Sequence, residues 1–523
     1  MIAAGCTDRT PGKLLAEGPA RDLVASRSGA SVAFLVGAAH PDDDAVPQDL
    51  YLGDLDLSRG GASAGKVGSG VPSSEGAVAF EPHGEALAFL AGYLFRTGTG
   101  ELWVAVPGTA PLRLASSASA FAWSPASTGG GLLAFVAART LHLVRVSAGP
   151  GGTASAQELG SGVPLIQTFA WAPGGSVLAA RGSTASGGRL VLIDAVKIAG
   201  QSAPPTVPIE TEVARASSDF SFAPDGALAI LGPAGSKGGD RELSLVDSGS
   251  STPRPIASAT SYSFSPAATS LALLSTSKNP GEAFGDLAIL PRGQSPAPQP
   301  RLLGSKVSEW RWSEAGDLLY LARYDLRSRS GTLYALAAGP EAPPRELATR
   351  VQSFSVSGGR RVLYLAQEPQ KSDFKLGFWT LDLAAAAGSA QALPRKIDEG
   401  VYGYELSPDG SLLYWKSRCV GLRSCTLFRE PAGGGPPLLL APQVTGFDLS
   451  RDGARLLVAQ PHRGSRALDL FLLDARGPAP STPPQPFLSS AEPGARFLDA
   501  SGHRVLAAIS DPSRAGVVLV DLP

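Results

Sequence analysis

Apolar residues in this chain fall in runs of four to seven, and each run stops at a Ser-Pro, Asp-Gly or Gly-Gly step. The clearest instance is Tyr404 to Glu430, YELSPDGSLLYWKSRCVGLRSCTLFRE. It reads as an alternating strand, a Ser-Pro-Asp-Gly turn, an apolar second strand, a hairpin and a third strand. Proline pre-sets φ for such a turn and Asp-Gly completes it. The second strand, as in Leu412-Leu413-Tyr414-Trp415 or Val362-Leu363-Tyr364-Leu365, is apolar on both faces. That pattern requires cover on both sides, as one sheet gives another when sheets stack. The third strand often ends in an acid, as in Leu192-Ile193-Asp194 and Leu245-Val246-Asp247. A weaker fourth, such as Pro111-Leu112-Arg113-Leu114, leads into the next copy.

Aligning on the turn yields eleven copies, among them Pro82-His83-Gly84, Ser124-Pro125, Pro173-Gly174-Gly175, Pro224-Asp225-Gly226 and Ser265-Pro266. Pro173 to Pro224 is 51 positions and Pro224 to Pro266 is 42. A period of that size is one four-stranded propeller blade. The sequence therefore predicts an all-β chain of about eleven blades. Since rings usually hold four to eight, two tandem propellers are expected: a tail over 1–12, a first propeller of about six blades over 13–300, and a second of about five over 301–523. The Pro-rich stretch Pro291 to Pro300 sets that boundary. One large ring, or a boundary near 200–210, is the alternative. Lys13-Leu14-Leu15-Ala16 looks like a fourth strand, while the last copy stops after a third, Val517-Val518-Leu519-Val520-Asp521. An N-terminal strand completing the last blade hides an edge that would otherwise be open.

The F-S-P-D-G type of turn, followed by L-A-F and then L-W-V-x-D, resembles the WD40-like repeat of TolB-type propellers and of the propeller domains of prolyl-oligopeptidase-type enzymes. The resemblance runs over roughly residues 13 to 523 and implies architecture, not activity. Ser313-Glu314 and Ser450-Arg451 lack the proline, and the last copy, around Leu498-Asp499-Ala500-Ser501-Gly502, is degenerate. No segment resembles the separate N-terminal domain of TolB, and no stretch is left for the hydrolase domain of oligopeptidases.

Composition and charge narrow the function classes. The formal net charge is -1, from 45 Lys and Arg against 46 Asp and Glu spread along the chain. No basic footprint for nucleic acid or for a membrane surface follows, and no apolar run is long enough for a transmembrane helix. Ala3-Ala4-Gly5-Cys6 resembles the end of a bacterial lipoprotein signal, which makes Cys6 the candidate lipid anchor and places the protein in the periplasm or at the cell surface. A cytoplasmic location is the alternative if the start is as given. Cys419 and Cys425 lie on the two arms of one predicted hairpin, within the reach of a disulfide; two reduced thiols are the alternative.

Candidate chemistry is sparse. Gly60 to Lys66, GGASAGK, has phosphate-loop spacing, but Val67 stands where a Ser or Thr would hold Mg²⁺. The same stretch contains Gly61-Ala62-Ser63-Ala64-Gly65, a G-x-S-x-G match in what reads as a linker between blades, without the strand and helix a nucleophile elbow needs. The five histidines, His40, His83, His142, His462 and His503, have no partners at ligand spacing. Asp42-Asp43-Asp44 lack the alternation that wraps Ca²⁺. No catalytic residue, metal or cofactor is assigned. Two long second-to-third-strand loops, Arg323 to Arg329 and Gln367 to Lys375, carry charge and aromatics suited to a binding rim. The expected function is a non-catalytic binding or assembly module with a protein, peptide or polysaccharide ligand on a propeller face. The alternative is a hydrolase or lyase with a site built from propeller loops.

Overall fold

The structure is a computed structural model of the chain. It describes residues 12–522 other than 18–19, 38–47, 56–62, 75, 127–130, 149–153, 162, 185–186, 200–209, 234–238, 277–283, 294–298, 339–341, 358–360, 368–375, 384–393, 408–409, 417–424, 433, 463–466, 478–484, 500 and 510–514. The chain is a β-propeller protein built from repeated antiparallel meanders. Among the described residues no helix is long and apolar enough to cross a membrane.

One meander shows why the sequence folds this way. Asp219–Phe222, Leu228–Leu231, Arg241–Val246 and Arg254–Ala259 form a four-stranded sheet in that order. Phe220 pairs with Ile230, and Ile230 with Ser244. At the turn the Gly226 N–H donates to the Ala223 carbonyl at 2.9 Å, the Ala227 N–H donates to Asp225 Oδ1 at 3.1 Å, and Gly226 takes φ +84°. Only a residue tolerant of the left-handed region closes that turn cheaply.

The copies without proline make the same turn. The Gly316 N–H donates to the Ser313 carbonyl at 3.0 Å and the Gly453 N–H to the Ser450 carbonyl at 2.8 Å. In both, the serine hydroxyl also accepts a backbone N–H, from Asp317 and from Arg455, each at 2.9 Å. The Ser265-Pro266 turn has the same bond, from the Ser270 N–H to Ser265 Oγ at 3.1 Å, so the serine side chain fixes the turn whether or not proline follows it. The degenerate last copy follows suit: the Asp499 carboxylate accepts the N–H groups of His503 and Arg504 at 3.1 and 2.8 Å.

Second strands are covered on both faces, as their composition requires. All of Ser31–Val36 and all of Leu228–Leu231 are buried. Apolar clusters lie between successive meanders: Leu231, Leu243 and Leu245 pack with Leu271, Leu273 and Leu290 of the next. The weak fourth strands are real and in places continuous with the following first strand. Leu112–Trp123 and Arg345–Ser357 each run through both roles, which joins two meanders into a seven-stranded sheet.

The chain packs as two compact units, one of Met1–Ile166, Ala195–Pro208 and Ser407–Pro523, the other of Gln167–Asp194 and Ile209–Leu406. The expected division at Pro291 to Pro300 falls inside the second unit, so these units do not follow the 13–300 and 301–523 split. Both chain ends belong to the first, because Gly12–Glu17 pairs antiparallel with Gly516–Asp521, Lys13 opposite Leu519 and Leu14 opposite Val518. That is the closure the sequence predicted. Leu15 and Ala16 are buried there with Val517, Leu519 and Leu506.

Candidate functional site

The short first strands carry a set of hydrogen bonds that reach one repeat along the chain. In the second unit the Ser221 hydroxyl donates to the Tyr262 phenol oxygen at 3.0 Å, and Tyr262 OH donates to the Ala229 carbonyl at 3.2 Å. Burial pushes the Tyr262 phenol up to about 12, so it stays protonated as a donor. The indole N–H groups of Trp310 and Trp312 both donate to Ser263 Oγ, at 2.9 and 3.1 Å. Ser355 and Tyr404 share a short hydroxyl contact, and the Tyr404 ring stacks on Phe378 at 5.1 Å. In the first unit the Trp123 indole donates to the Ala79 carbonyl at 3.0 Å, 44 residues away, and the Phe497 N–H donates to Asp448 Oδ2 at 2.7 Å, 49 residues away. These polar groups fasten neighbouring meanders.

Asp448 gives this fastening a pH dependence. Burial raises its carboxyl above the usual range, against the Phe497 N–H, which pulls it down. A raised folded value means that stability is fully present below the unfolded value, about 3.9, and is lost as pH rises through the folded one. Asp448→Asn keeps an acceptor for Phe497 and has no proton to lose. Relative to the native protein it should therefore be more stable at about pH 7 than at about pH 3.5. Thermal denaturation at both values checks this; a difference independent of pH sinks it.

The sequence-predicted residues scatter. Cys6, His40, Asp42, Asp43, Asp44, Gly60, Gly61, Ala62 and Cys419 lie outside the described residues. Cys425 opens the strand Cys425–Glu430 and is disulfide-bonded. The rest of the GGASAGK stretch is not a linker: Ser63–Val71 is a fourth strand, with Lys66 opposite Tyr51 and its Nζ 2.7 Å from Asp49. A strand held in a sheet offers neither a phosphate cradle nor an elbow. His83 Nε2 lies 2.9 Å from the Pro125 carbonyl. His142 stacks on Phe135 at 5.0 Å with Glu158 at 3.1 Å, and His462 Nδ1 sits 2.8 Å from Asp469. Among the described residues no group of His, Cys, Asp and Glu is arranged to hold a metal.

The exposed chemistry lies on hairpins joining second to third strands. In the second unit, Leu318–Asp325 turns into Ser330–Leu336. Leu326 at its tip is 62% exposed, and Tyr324 meets Phe284 of the preceding meander edge to face at 5.0 Å. Arg323, Arg327 and Arg329 are exposed, and Arg323 lies over the Tyr334 ring at 5.9 Å. Asp325 is the acid within this loop. The backbone N–H of Arg327 and the hydroxyl and N–H of Ser328 hold its carboxyl below the usual range. Gln367 Nε2 donates to the Ser328 carbonyl at 2.9 Å, while 368–375 lie outside the described residues.

In the first unit the hairpin between Leu87–Leu94 and Thr99–Ala105 has the same build. Its register slips between Ala91 and Leu94 as the other slips between Ala322 and Asp325. Tyr93 meets Phe95 edge to face at 5.1 Å, and Leu94 and Phe95 are 62% and 46% exposed. A Cβ on Gly100 would lie 2.9 Å from the Ala91 carbonyl oxygen, and one on Gly331 would lie 2.7 Å from that of Ala322. The left-handed positions fall on Gly92 and Gly98, φ +55° and +65°, in this hairpin, but on Arg323 and Arg329, φ +52° and +51°, in the other. A residue with a Cβ gives up on the order of 1 kcal/mol to stand there. Only the Arg323 to Arg329 loop stands out along the sequence, by its charge, although the two segments align as AGYLFRTGTGELW and ARYDLRSRSGTLY from Ala91 and Ala322.

These features define a β-propeller protein whose inner strands are spent on cohesion and whose hairpin tips carry exposed groups. No protein-family model matches the chain, and no curated protein sequence does. Among solved structures, a eukaryotic initiation factor is similar at 14% identity and a TM-score of 0.41, over 75% of this chain and 92% of its own. A putative TolB from Agrobacterium tumefaciens is similar at 14% identity and a TM-score of 0.25, over 47% and 84%. The β-propeller domain of the trilobed protease from Pyrococcus furiosus is similar at 12% identity and a TM-score of 0.29, over 61% and 98%. At such identities and scores the likenesses carry no argument, and the fold assignment rests on the strand register.

Proposed function

We propose that the protein is a non-catalytic binding or assembly module of the bacterial cell envelope, held to a membrane by a lipid on Cys6. The observation that carries the binding role is an aromatic pair at a hairpin with an exposed leucine in each unit: Tyr93 and Phe95 with Leu94, and Tyr324 with Leu326, where the second ring is Phe284 of the preceding meander. Exposed apolar groups of this kind on a rigid scaffold mark a partner's contact point. A disulfide at Cys425, with Cys419 as the partner, suits an oxidising compartment outside the cytoplasm.

Localisation is tested by expressing the native gene, including any upstream coding sequence. The protein should sediment with membranes and take up labelled fatty acid, and Cys6→Ser should abolish both. In material exported to the periplasm, Cys419 and Cys425 should resist alkylation until a reductant is added. Soluble, unlabelled protein with both thiols open defeats the envelope reading. The binding role is tested by retention of envelope proteins on the immobilised native chain, reduced when Tyr324 or Phe95 is replaced by Ser.

The second reading, a hydrolase or lyase with a loop-built site, draws on the His462–Asp469 contact of 2.8 Å. A carboxylate orienting a histidine is one half of a general-base arrangement. Turnover of ester, peptide or glycan substrates that His462→Ala removes would replace the binding role with that one.

A further inference from the structure

The binding reading leaves the partner open, and the second unit narrows it. Three arginines there occupy left-handed backbone positions: Arg323, Arg329 and Arg350, at φ +52°, +51° and +55°. The first two stand where the matching hairpin of the first unit has Gly92 and Gly98. Arg350 stands in the fourth-strand bulge just before the buried Val351, the place Gly70 takes, at φ +68°, just before the buried Val71. Val351 pairs with Gly331, two residues beyond Arg329, so the bulge lies at the base of the same hairpin. On backbone grounds glycine is the less strained residue at such positions, as at Gly92, Gly98 and Gly70, although Lys306 and Gln443 hold the bulge equivalent to that of Arg350 at φ +53° and +54°, so the contrast with glycine is sharpest at Arg323 and Arg329. The side chains are what the substitution adds.

Arg323, Arg327, Arg329 and Arg350 are all exposed. Asp325, the carboxylate of the loop, accepts the backbone N–H groups of Arg327 and Ser328 and also feels the charge of Arg327, so it offsets one of the four arginines. Among the described residues no carboxylate forms an ion pair with Arg329 or Arg350. Guanidinium groups present paired N–H donors that match a carboxylate edge on, which the point charge of lysine does not. The same hairpin carries the exposed Leu326 and Tyr324, which meets Phe284 edge to face at 5.0 Å.

Resting on the reading of the chain as a binding module, we propose that this rim binds an acidic polypeptide segment: carboxylates on the arginines, an apolar side chain against Leu326 and Tyr324. The apolar contact is what favours a polypeptide over a polyanionic sugar, whose charged groups would use the arginines alone.

The test is fluorescence anisotropy of the full chain with a labelled peptide of about a dozen residues, rich in Glu and Asp and carrying one Phe. Binding should weaken as salt rises through about 50 to 300 mM. The Arg323→Gly, Arg329→Gly, Arg350→Gly variant should bind at least about tenfold more weakly with an unchanged or raised Tm, because glycine suits those backbone positions. A purely structural role for the arginines predicts no loss of binding with that Tm. If the triple variant folds poorly, Arg327→Ala, whose position needs no left-handed conformation, should still weaken binding. Equal affinity in native and variant proteins overturns the proposal. So does a peptide that fails to bind while dextran sulfate binds through the same arginines. Retention of envelope proteins by the immobilised chain reports separately on the module: if it persists in the triple variant, the rim proposal fails and the binding reading stands.

Discussion

Gly516→Val should unfasten the N-terminal strand from the last meander and destabilise the first unit by about 3–5 kcal/mol. The reason is close approach. A Cβ on Gly516 would lie 2.2 Å from the Ala16 carbonyl oxygen and 2.6 Å from Leu14 Cδ1. The Leu14 side chain, 47% exposed, can swing aside, but the Ala16 carbonyl cannot, since it is backbone in a paired strand opposite Val517. Losing the pairing strips Leu15 and Ala16 from Val517, Leu519 and Leu506. It also leaves Gly516–Asp521 as an apolar edge, a template for aggregation. Hydrogen exchange should show the amides of Lys13 to Ala16 and Val518 to Val520 losing protection together, with Tm falling and aggregation rising. Unchanged protection across both strands would show that closure does not depend on this contact.

Ser263→Ala should cost about 2–4 kcal/mol, more than its loss of a single oxygen suggests. Ser263 Oγ is the acceptor for two indole N–H groups, Trp310 and Trp312, which come from the next meander, 47 and 49 residues on. Both rings pack against the cluster of Leu318, Tyr320 and Leu336, so each orphaned donor bears part of its desolvation penalty. Ser263→Thr retains the hydroxyl and should cost much less. A cycle of Ser263→Ala with Trp310→Phe, followed by urea denaturation, isolates the coupling. If the two changes add, the hydrogen bond contributes nothing and the fastening is apolar alone.

Both predictions concern features that differ in how far the sequence exposes them. The N-terminal strand was legible, because Lys13-Leu14-Leu15-Ala16 has a fourth-strand pattern and the chain ends on a third strand. The fastening by Ser263 was not, because a serine on an alternating strand looks the same whether it faces solvent or two indoles. The turns without proline were legible as turns, since Gly316 and Gly453 keep the residue that the backbone demands. Ser63–Val71 read as a linker because glycine and serine are weak strand formers, yet its pairing with Gln48–Asp54 makes it a strand. Tertiary pairing overrode local preference there. The paired hairpins at Ala91 and Ala322 were open to alignment, but the meaning of Arg against Gly appears only when φ is known at both.

The sequence by itself determined the strand, the turn and the repeat. Each depends on neighbours a few residues apart: alternation sets which side chains face inward, and a glycine tolerant of positive φ sets where the chain reverses. Only the tertiary structure decided which meanders share a unit, for every meander offers much the same apolar face to the next and nothing local distinguishes one neighbour from another. It decided, too, that Arg350 stands near the hairpin that carries Arg329, because strand register sets Val351 opposite Gly331, a placement invisible to spacing along the chain.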